Sequence, residues 1–263
     1  MKYNILLVGP VGTGKTYSTH TFIEAGKELF ILSTEPGIET ILEEWGKLGT
    51  DMNKVHYTKV MPASISWDIL IQEAERTNLL TMDQLQKTQS PNKSEFKQFI
   101  NVYGALANFV DQHGEEFGAV DEWDDSRVIM IDGLSGLSRM ALHLVVGSKP
   151  IKTLPEWGCA MGNLQNLLEK LCDDTKCTFV LVSHVERQKD ELTGGTHLTL
   201  STLGNKLAPE LVKLPDEIIY TKREGGKFRW STIESGIDLK SRKLPWSDDI
   251  EPTFVQMFEG EET

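Results

Sequence analysis

The chain has 263 residues, 39% of them hydrophobic and 25% charged, which is typical of one large globular domain or two small ones. No apolar run approaches the roughly 20 residues that a membrane span needs. We therefore expect no membrane association. The three cysteines lack the spacing of a zinc site or disulfide framework, so we expect a reducing, cytoplasmic location. The net charge of −12 argues against strong nonspecific DNA affinity, because proteins that coat DNA usually show a basic face.

The chain opens with a predicted buried strand over residues 3–8 and a predicted helix from residue 16 to about residue 25. The segment between them fits G-x-x-x-x-G-K-[ST] at every fixed position. A preceding strand and a following helix are the context in which this motif forms a phosphate-binding loop. We therefore predict a nucleoside triphosphate site formed by Gly9, Pro10, Val11, Gly12, Thr13, Gly14, Lys15, Thr16 and Tyr17.

The residue types of this loop match the chemistry of a phosphate group. Glycines allow the backbone to curl so that successive N–H groups point at one phosphate, and the helix N-terminus adds a partial positive charge. Lys15 is expected to reach the β- and γ-phosphates of ATP, and the Thr16 hydroxyl is expected to hold Mg²⁺. ATP and Mg²⁺ are therefore the predicted cofactors.

Further along the chain, continuous apolar runs predict buried strands of a parallel sheet. These strands are expected at residues 29–33, 55–60, 128–131 and 178–183, with helices at 134–146 and 163–171. The polar segment 62–126 lies between two of the strands and predicts a helical insertion, with helices at about 67–80 and 95–110.

The last third of the chain predicts a polar loop and then a hairpin. The loop covers residues 187–205, and the hairpin strands cover 217–221 and 227–232, joined at Glu224-Gly225-Gly226. An acidic tail is expected over 246–263. The whole chain, 1–263, therefore predicts a single α/β P-loop domain with a doubly wound, mostly parallel sheet and an antiparallel C-terminal edge.

An acidic side chain ends the predicted strand at 128–131. Asp132 is expected near the phosphate loop, because ligands of such sheets bind at the carboxyl ends of the strands, and it would hold Mg²⁺ together with Thr16. The next residue is Gly133, whereas the AAA+ branch of P-loop ATPases normally has a catalytic glutamate there. We therefore expect the general base to come from another element.

Glu35 follows the predicted strand at 29–33 and is the candidate base. A carboxylate at that position could orient and deprotonate the attacking water. The residues alone leave a second interpretation open, in which Glu35 caps the helix that begins near Ile38.

The string Ser33-Thr34-Glu35-Pro36-Gly37 resembles the Asp-Thr-Glu-Gly-like string of RecA-like ATPases, which are recombinases and ring helicases. In that family the second strand ends in the catalytic glutamate. The resemblance implies that Glu35 is the base, with Glu39 as the nearby alternative.

Val180-Leu181-Val182-Ser183-His184 is similar to the strand that ends in a polar γ-phosphate sensor in RecA-like proteins and leads into a DNA-binding loop. The resemblance implies that His184 is the sensor. It also implies that residues 187–205 contact DNA, with Arg187, Lys189 and Lys206 touching phosphates and Asp190 and Glu191 diluting the basic character. A solvent-facing histidine at a strand end is the alternative for His184.

Lys240-Ser241-Arg242 resembles the Lys-x-Arg pair that ring-forming RecA-like ATPases carry on a late strand. In those proteins the pair reaches the γ-phosphate of the neighbouring subunit. The resemblance implies that Lys240 and Arg242 project together from a strand and that Arg242 is an arginine finger. A solvated basic pair is the alternative.

Residues 1–60 and 127–245 look closest to small phage-encoded nucleotide-binding proteins of the RecA-like group, some of which act in single-strand annealing and recombination. This resemblance implies a homo-oligomeric ring or filament with ATP at the subunit interfaces, single-stranded DNA as a partner, and the host cytoplasm as the location.

Other function classes share the phosphate loop. A nucleotide-dependent assembly or regulatory ATPase fits the acidic charge. A small-molecule kinase needs a mobile lid rich in arginine, and residues 187–205 are poor in arginine. A GTPase is disfavoured, because Asn205-Lys206-Leu207-Ala208 lacks the acid that would read guanine.

Overall fold

Strands form the centre of this computed structural model, which describes residues 1–90, 92–189 and 195–259. Eight strands occur in these residues. They are β1 (Asn4–Gly9), β2 (Glu28–Ser33), β3 (Val55–Lys59), β4 (Arg127–Asp132), β5 (Thr178–Lys189), β6 (Thr196–Leu200), β7 (Glu217–Glu224) and β8 (Lys227–Ser231).

The strand order is β3-β2-β4-β5-β1-β7-β8, with β6 paired to β5 off this path. All neighbours from β3 to β7 run parallel, whereas β8 pairs antiparallel with β7 and β6 antiparallel with β5. The predicted α/β fold with a mostly parallel sheet and an antiparallel C-terminal edge is therefore confirmed.

Helices cover both faces of the sheet. They are α1 (Thr21–Glu24), which follows a 3-10 turn at Tyr17–His20, α2 (Ile38–Leu48), α3 (Trp67–Leu79), α4 (Met82–Lys87), α5 (Gln98–Ala107), α6 (Leu134–Val146), α7 (Leu154–Asp173), α8 (Gly204–Leu211) and α9 (Val255–Phe258). None of the helices in the described ranges is long and apolar enough to cross a membrane.

Alternate residues of each central strand enter opposite halves of the core. On β1, Leu6 packs in a cluster with α5, α6, α7 and α8, whereas Leu7 packs in a cluster with α1, α2 and the C-terminal segment. Because both faces are covered by apolar side chains, the strand Asn4–Gly9 is buried throughout. This burial explains the continuous apolar runs in the sequence.

The segment between β3 and β4 contains the predicted helices and one more, α4. Helix α5 anchors the segment through Phe99 and Val102, which are fully buried. No residue of α3 is buried, although Trp67 and Leu79 are apolar. Pro91, between α4 and α5, lies outside the described residues.

The expectation of an irregular loop over residues 187–205 is wrong. Strand β5 continues to Lys189 and pairs with β6 in an antiparallel hairpin, in which Arg187 lies opposite Leu198. The alternation of Leu198 and Leu200 with polar residues was the signal for this strand, because Leu200 is buried while its neighbours are not. Asp190, Glu191 and Gly194 lie outside the described residues.

Three other boundaries differ from expectation. The helix predicted from residue 16 to about residue 25 is a 3-10 turn at Tyr17–His20 followed by the four-residue α1 (Thr21–Glu24). Helix α7 begins at Leu154, well before residue 163, because Thr153 and Glu156 form a capping box. The expected tail over 246–263 instead packs back on the domain as far as residue 259, with Ile250 paired to Trp230 and the Phe254 ring stacked on Phe22 at 3.9 Å. Residues 260–263 lie outside the described part.

Candidate nucleotide-binding site

The sheet brings the ends of β1, β2 and β4 together at one edge, beside the middle of β5. Gly9, at the end of β1, is paired with His184 of β5, and Asp132, at the end of β4, is paired with Val182 of β5 and with Ser33 of β2. Strand β5 therefore lies between the strand of the phosphate loop and the strand of Asp132. Parallel sheets bind ligands at this carboxyl edge.

The phosphate loop requires glycine at two positions. Gly12 and Gly14 have φ angles of 75° and 82°, a region that side chains with a Cβ rarely adopt. A Cβ on Gly14 would also lie 2.8 Å from the ring of Phe228, which packs on the loop from β8. Thr13 fixes the loop further, because its hydroxyl lies 2.7 Å from that of Thr221 on β7.

Lys15 lies folded over the loop. Its Nζ donates to the carbonyl oxygens of Gly9 at 2.9 Å and Pro10 at 2.7 Å, and the side chain is nearly buried. Burial lowers the pKa of Lys15 to about 8, while Asp132 and Glu35 act in the opposite direction. A phosphate group would supply the negative charge that the carbonyl oxygens lack.

Thr16 and Asp132 meet as the sequence predicted. The Thr16 hydroxyl donates to Oδ1 of Asp132 at 2.8 Å. Burial raises the pKa of Asp132 to about 6, and the hydrogen bond from Thr16 opposes that rise. A hydroxyl and a carboxylate so close together provide the oxygen ligands that Mg²⁺ prefers, so these two residues fit the ion.

Glu35 lies beside His184 and does not cap α2, whose N-cap residue Gly37 has no side-chain cap hydrogen bond. One carboxylate oxygen, Oε1, accepts a hydrogen bond from the Ser135 hydroxyl, and the other, Oε2, lies 3.4 Å from His184 Nε2. The alternative base, Glu39, forms an ion pair with Lys59. Of the two glutamates, Glu35 is the one that faces the phosphate loop.

The expected phosphate, metal and general-base residues meet at one cavity of about 380 Å³. Its lining combines the loop from Val11 to Tyr17 with Glu35, Asp132 and His184. Gly9 and Pro10 do not line it and contribute through their carbonyl contacts with Lys15.

Phe228 was missed by the sequence analysis. It also lines the cavity, and its ring lies 5.6 Å from that of Tyr17. No local motif marks Phe228, because only the pairing of β8 at the sheet edge brings it to the loop.

The geometry of a nucleotide-binding site agrees with the family to which the sequence matches. Residues 1–243 match a family model described as an AAA domain. The chain belongs to this AAA domain family. Membership assigns a P-loop domain with nucleotide binding and, in general, ATPase activity. No curated protein matches the chain.

In this AAA domain, Lys240 and Arg242 lie near the other end of the sheet. Lys240 makes a single bridge with Ile218, at the amino end of β7, and Arg242 pairs with Asp216 at 2.8 Å. The expectation of a strand at these residues is wrong, although the Lys240 side chain also reaches this region, where it donates to the Pro215 carbonyl oxygen at 2.7 Å. The backbone N–H groups of Arg242 and Lys243 instead donate to the buried carboxylate of Glu217, which bends the segment.

The hairpin of β5 and β6 forms an open groove of about 520 Å³. Arg187 and Lys189 line it from one face of β5, opposite Thr196 and Leu198 and next to Ser235 and Gly236. Lys206 falls on α8 and lies outside this lining. Two of the three basic residues implied for DNA contact therefore share one surface.

Proposed function

We propose that this AAA domain is a Mg²⁺-dependent ATPase that acts on single-stranded DNA, in phage recombination, annealing or replication, within a cytoplasmic ring or filament. One observation carries the catalytic part of the proposal. The phosphate loop, the pair of Thr16 and Asp132, and the candidate base Glu35 line the same cavity.

The residues divide the reaction between them. The loop amides and Lys15 bind the phosphates of ATP, and Thr16 and Asp132 hold Mg²⁺. When bound between these two residues, Mg²⁺ would supply positive charge that offsets the charge developing on the phosphate oxygens. Glu35 orients the attacking water and accepts its proton, because its carboxylate lines the cavity and, unlike that of Asp132, is not bonded to the Thr16 hydroxyl.

The DNA part of the proposal rests on β5. This strand carries His184 at the nucleotide cavity and, three and five residues further on, Arg187 and Lys189 in the open groove. At about 3.3 Å per residue, His184 and Arg187 are roughly 10 Å apart along one strand. A change in the contact of His184 with the γ-phosphate therefore moves groups that would touch DNA phosphates.

The oligomeric part rests on Arg242. Its side chain is 67% exposed and lies near the end of β7 that is far from the cavity of its own chain. A role at the γ-phosphate therefore requires a second copy, whose cavity Lys240 and Arg242 would complete.

The test is ATP hydrolysis by the purified chain with and without single-stranded DNA, at low salt because phosphate contacts weaken steeply with salt. We expect stimulation that is lost in the double variant Arg187→Ala/Lys189→Ala. The matched control is Lys47→Ala/Lys213→Ala, which removes the same charge from exposed lysines that pair with neighbouring glutamates. A rate of ATP hydrolysis that single-stranded DNA does not change in the unaltered chain or in either variant would overturn the DNA part of the proposal.

A nucleotide-dependent assembly or regulatory ATPase is the second candidate. The net charge of −12 favours it, because bulk acidity opposes DNA binding. Slow turnover without any response to DNA, together with ATP-dependent oligomerisation, would support it. A small-molecule kinase gains less support, since the segment expected to form its lid is partly a paired hairpin. A role as a GTPase is not supported either, because Leu207 and Ala208, in the string that would read guanine, are buried in the core on α8.

A further inference from the structure

We infer that Ser135 is a positioning residue that holds Glu35 ready for water activation, an inference that rests on the proposed role of Glu35. Ser135 lies in the first turn of α6, three residues after Asp132, and its hydroxyl donates to Oε1 of Glu35. Ser135 does not line the nucleotide cavity, so it acts through the carboxylate and not on ATP.

The two oxygens of Glu35 have different neighbours. Oε1 accepts from Ser135, whereas Oε2 faces Nε2 of His184 at 3.4 Å. The other ring nitrogen of His184, Nδ1, is buried and has no hydrogen-bond partner among the described residues. The His184 ring is therefore held by few polar contacts, and its contact with Glu35 is the one that a phosphate group can replace.

The contact with Ser135 is fixed by the backbone. The Thr34 N–H donates to the carbonyl oxygen of Asp132 at 3.0 Å, and the Thr34 hydroxyl donates to the carbonyl oxygen of Gly133. These bonds join the segment that carries Glu35 to the turn that carries Ser135. The segments that carry Glu35 and Ser135 are consequently held together by bonds that involve no nucleotide.

This asymmetry gives the two contacts different functions. When the γ-phosphate draws His184 away, Oε2 is released and becomes the oxygen that accepts the proton of water. Ser135 stays on Oε1 and keeps the carboxylate pointing into the cavity. Without this hydroxyl, Glu35 would be free to change rotamer as soon as His184 leaves it.

The test compares Ser135→Ala, Ser135→Thr and Ser138→Ala by ATP hydrolysis, by binding of a non-hydrolysable ATP analogue and by thermal unfolding. We expect Ser135→Ala to lower kcat by about 10- to 100-fold, because misplacing a reacting group costs up to roughly that factor, and to change the analogue's Kd by less than about twofold. Ser135→Thr keeps a hydroxyl and should retain most of kcat. Ser138 is the matched control, since it is buried on the same helix but lies 3.1 Å from Thr202.

A double-mutant comparison separates positioning from a general loss of structure. Ser135→Ala should have no further effect on the residual kcat of Glu35→Gln, because both changes remove the same function. An unchanged kcat in Ser135→Ala, or the same fractional loss in both backgrounds, overturns the inference while hydrolysis by the unaltered chain keeps the proposed function standing. Full activity of Glu35→Gln, or no hydrolysis by the unaltered chain, overturns the proposed function and this inference with it.

Discussion

Gly133 and Glu35 are packed so closely that a side chain at residue 133 would collide with the glutamate. A Cβ on Gly133 would lie 2.5 Å from Cγ of Glu35, and the φ angle of Gly133 is 113°. The space beside residue 133 is thus occupied by the side chain of Glu35, which follows β2. This packing explains why the chain has glycine where the AAA+ branch has its catalytic glutamate.

Gly133→Ala is expected to displace Glu35 and to lower kcat on the order of 10²-fold while nucleotide binding persists. The measurement is kcat together with the Kd of an ATP analogue. Gly158→Ala on α7 is the matched control, because nothing lies within 4 Å of the added Cβ. Equal activity of the two variants would show that the position of Glu35 does not matter for turnover.

Lys15→Ala is expected to weaken ATP binding and to lower kcat/KM by about 10²- to 10³-fold, since it removes the charge that faces the phosphates. Titration with ATP and steady-state kinetics measure the two effects. Lys213→Ala should leave both unchanged, because Lys213 forms an exposed ion pair with Glu210. Normal turnover by Lys15→Ala would contradict the phosphate-loop assignment.

Asp132 should make folding and metal binding respond to pH in opposite directions. Its pKa rises from 3.8 to about 6 in the folded chain, so the folded state holds the proton more tightly. The buried, ionised form costs about 3 kcal/mol at neutral pH, and this cost disappears as pH falls from about 7 to 4.

The comparison with Asp132→Asn isolates this group. The free energy of unfolding of the unaltered chain, relative to the variant, should increase as pH falls through 6. Stabilisation by Mg²⁺ and ATP should fade over the same range, because the protonated carboxyl does not bind the ion. Identical pH profiles for the two proteins, measured by urea unfolding, would rule out the shifted pKa.

Arg242→Ala is expected to spare ATP binding and to lower kcat by roughly 10³-fold, if the neighbouring copy supplies the arginine finger. Mixing this variant with Glu35→Gln should restore part of the turnover, because some interfaces then combine an intact cavity with an intact Arg242. Arg139→Ala, an exposed change on α6, is the control. No recovery on mixing would count against shared sites.

Phe254→Ala is expected to lower the free energy of unfolding by about 3–5 kcal/mol, because Phe254 is fully buried and its ring stacks on Phe22. Trp246→Ala should change it by less than about 0.5 kcal/mol, since Trp246 is 70% exposed. Urea unfolding measures both. Equal effects would mean that the C-terminal segment is not part of the domain.

The sequence determined those features that depend on local patterns. The phosphate loop is a run of eight residues that directly follows a strand, so its position needed no tertiary information. Continuous apolar runs predicted the parallel strands correctly, because burial on both faces leaves no alternation. The places of Asp132, at the end of one strand, and Glu35, just after another, also predicted that both lie at the binding edge, where they line the cavity.

The tertiary structure decided what depends on pairing between distant segments. The pairing of β6 with β5 and the position of Phe228 result from contacts across the sheet, which short windows of sequence do not encode. The close approach of Ser135 to Glu35 joins residues 100 positions apart. Whether a polar residue near a strand end becomes part of a site is set by which strands are neighbours, and only the folded sheet fixes that order.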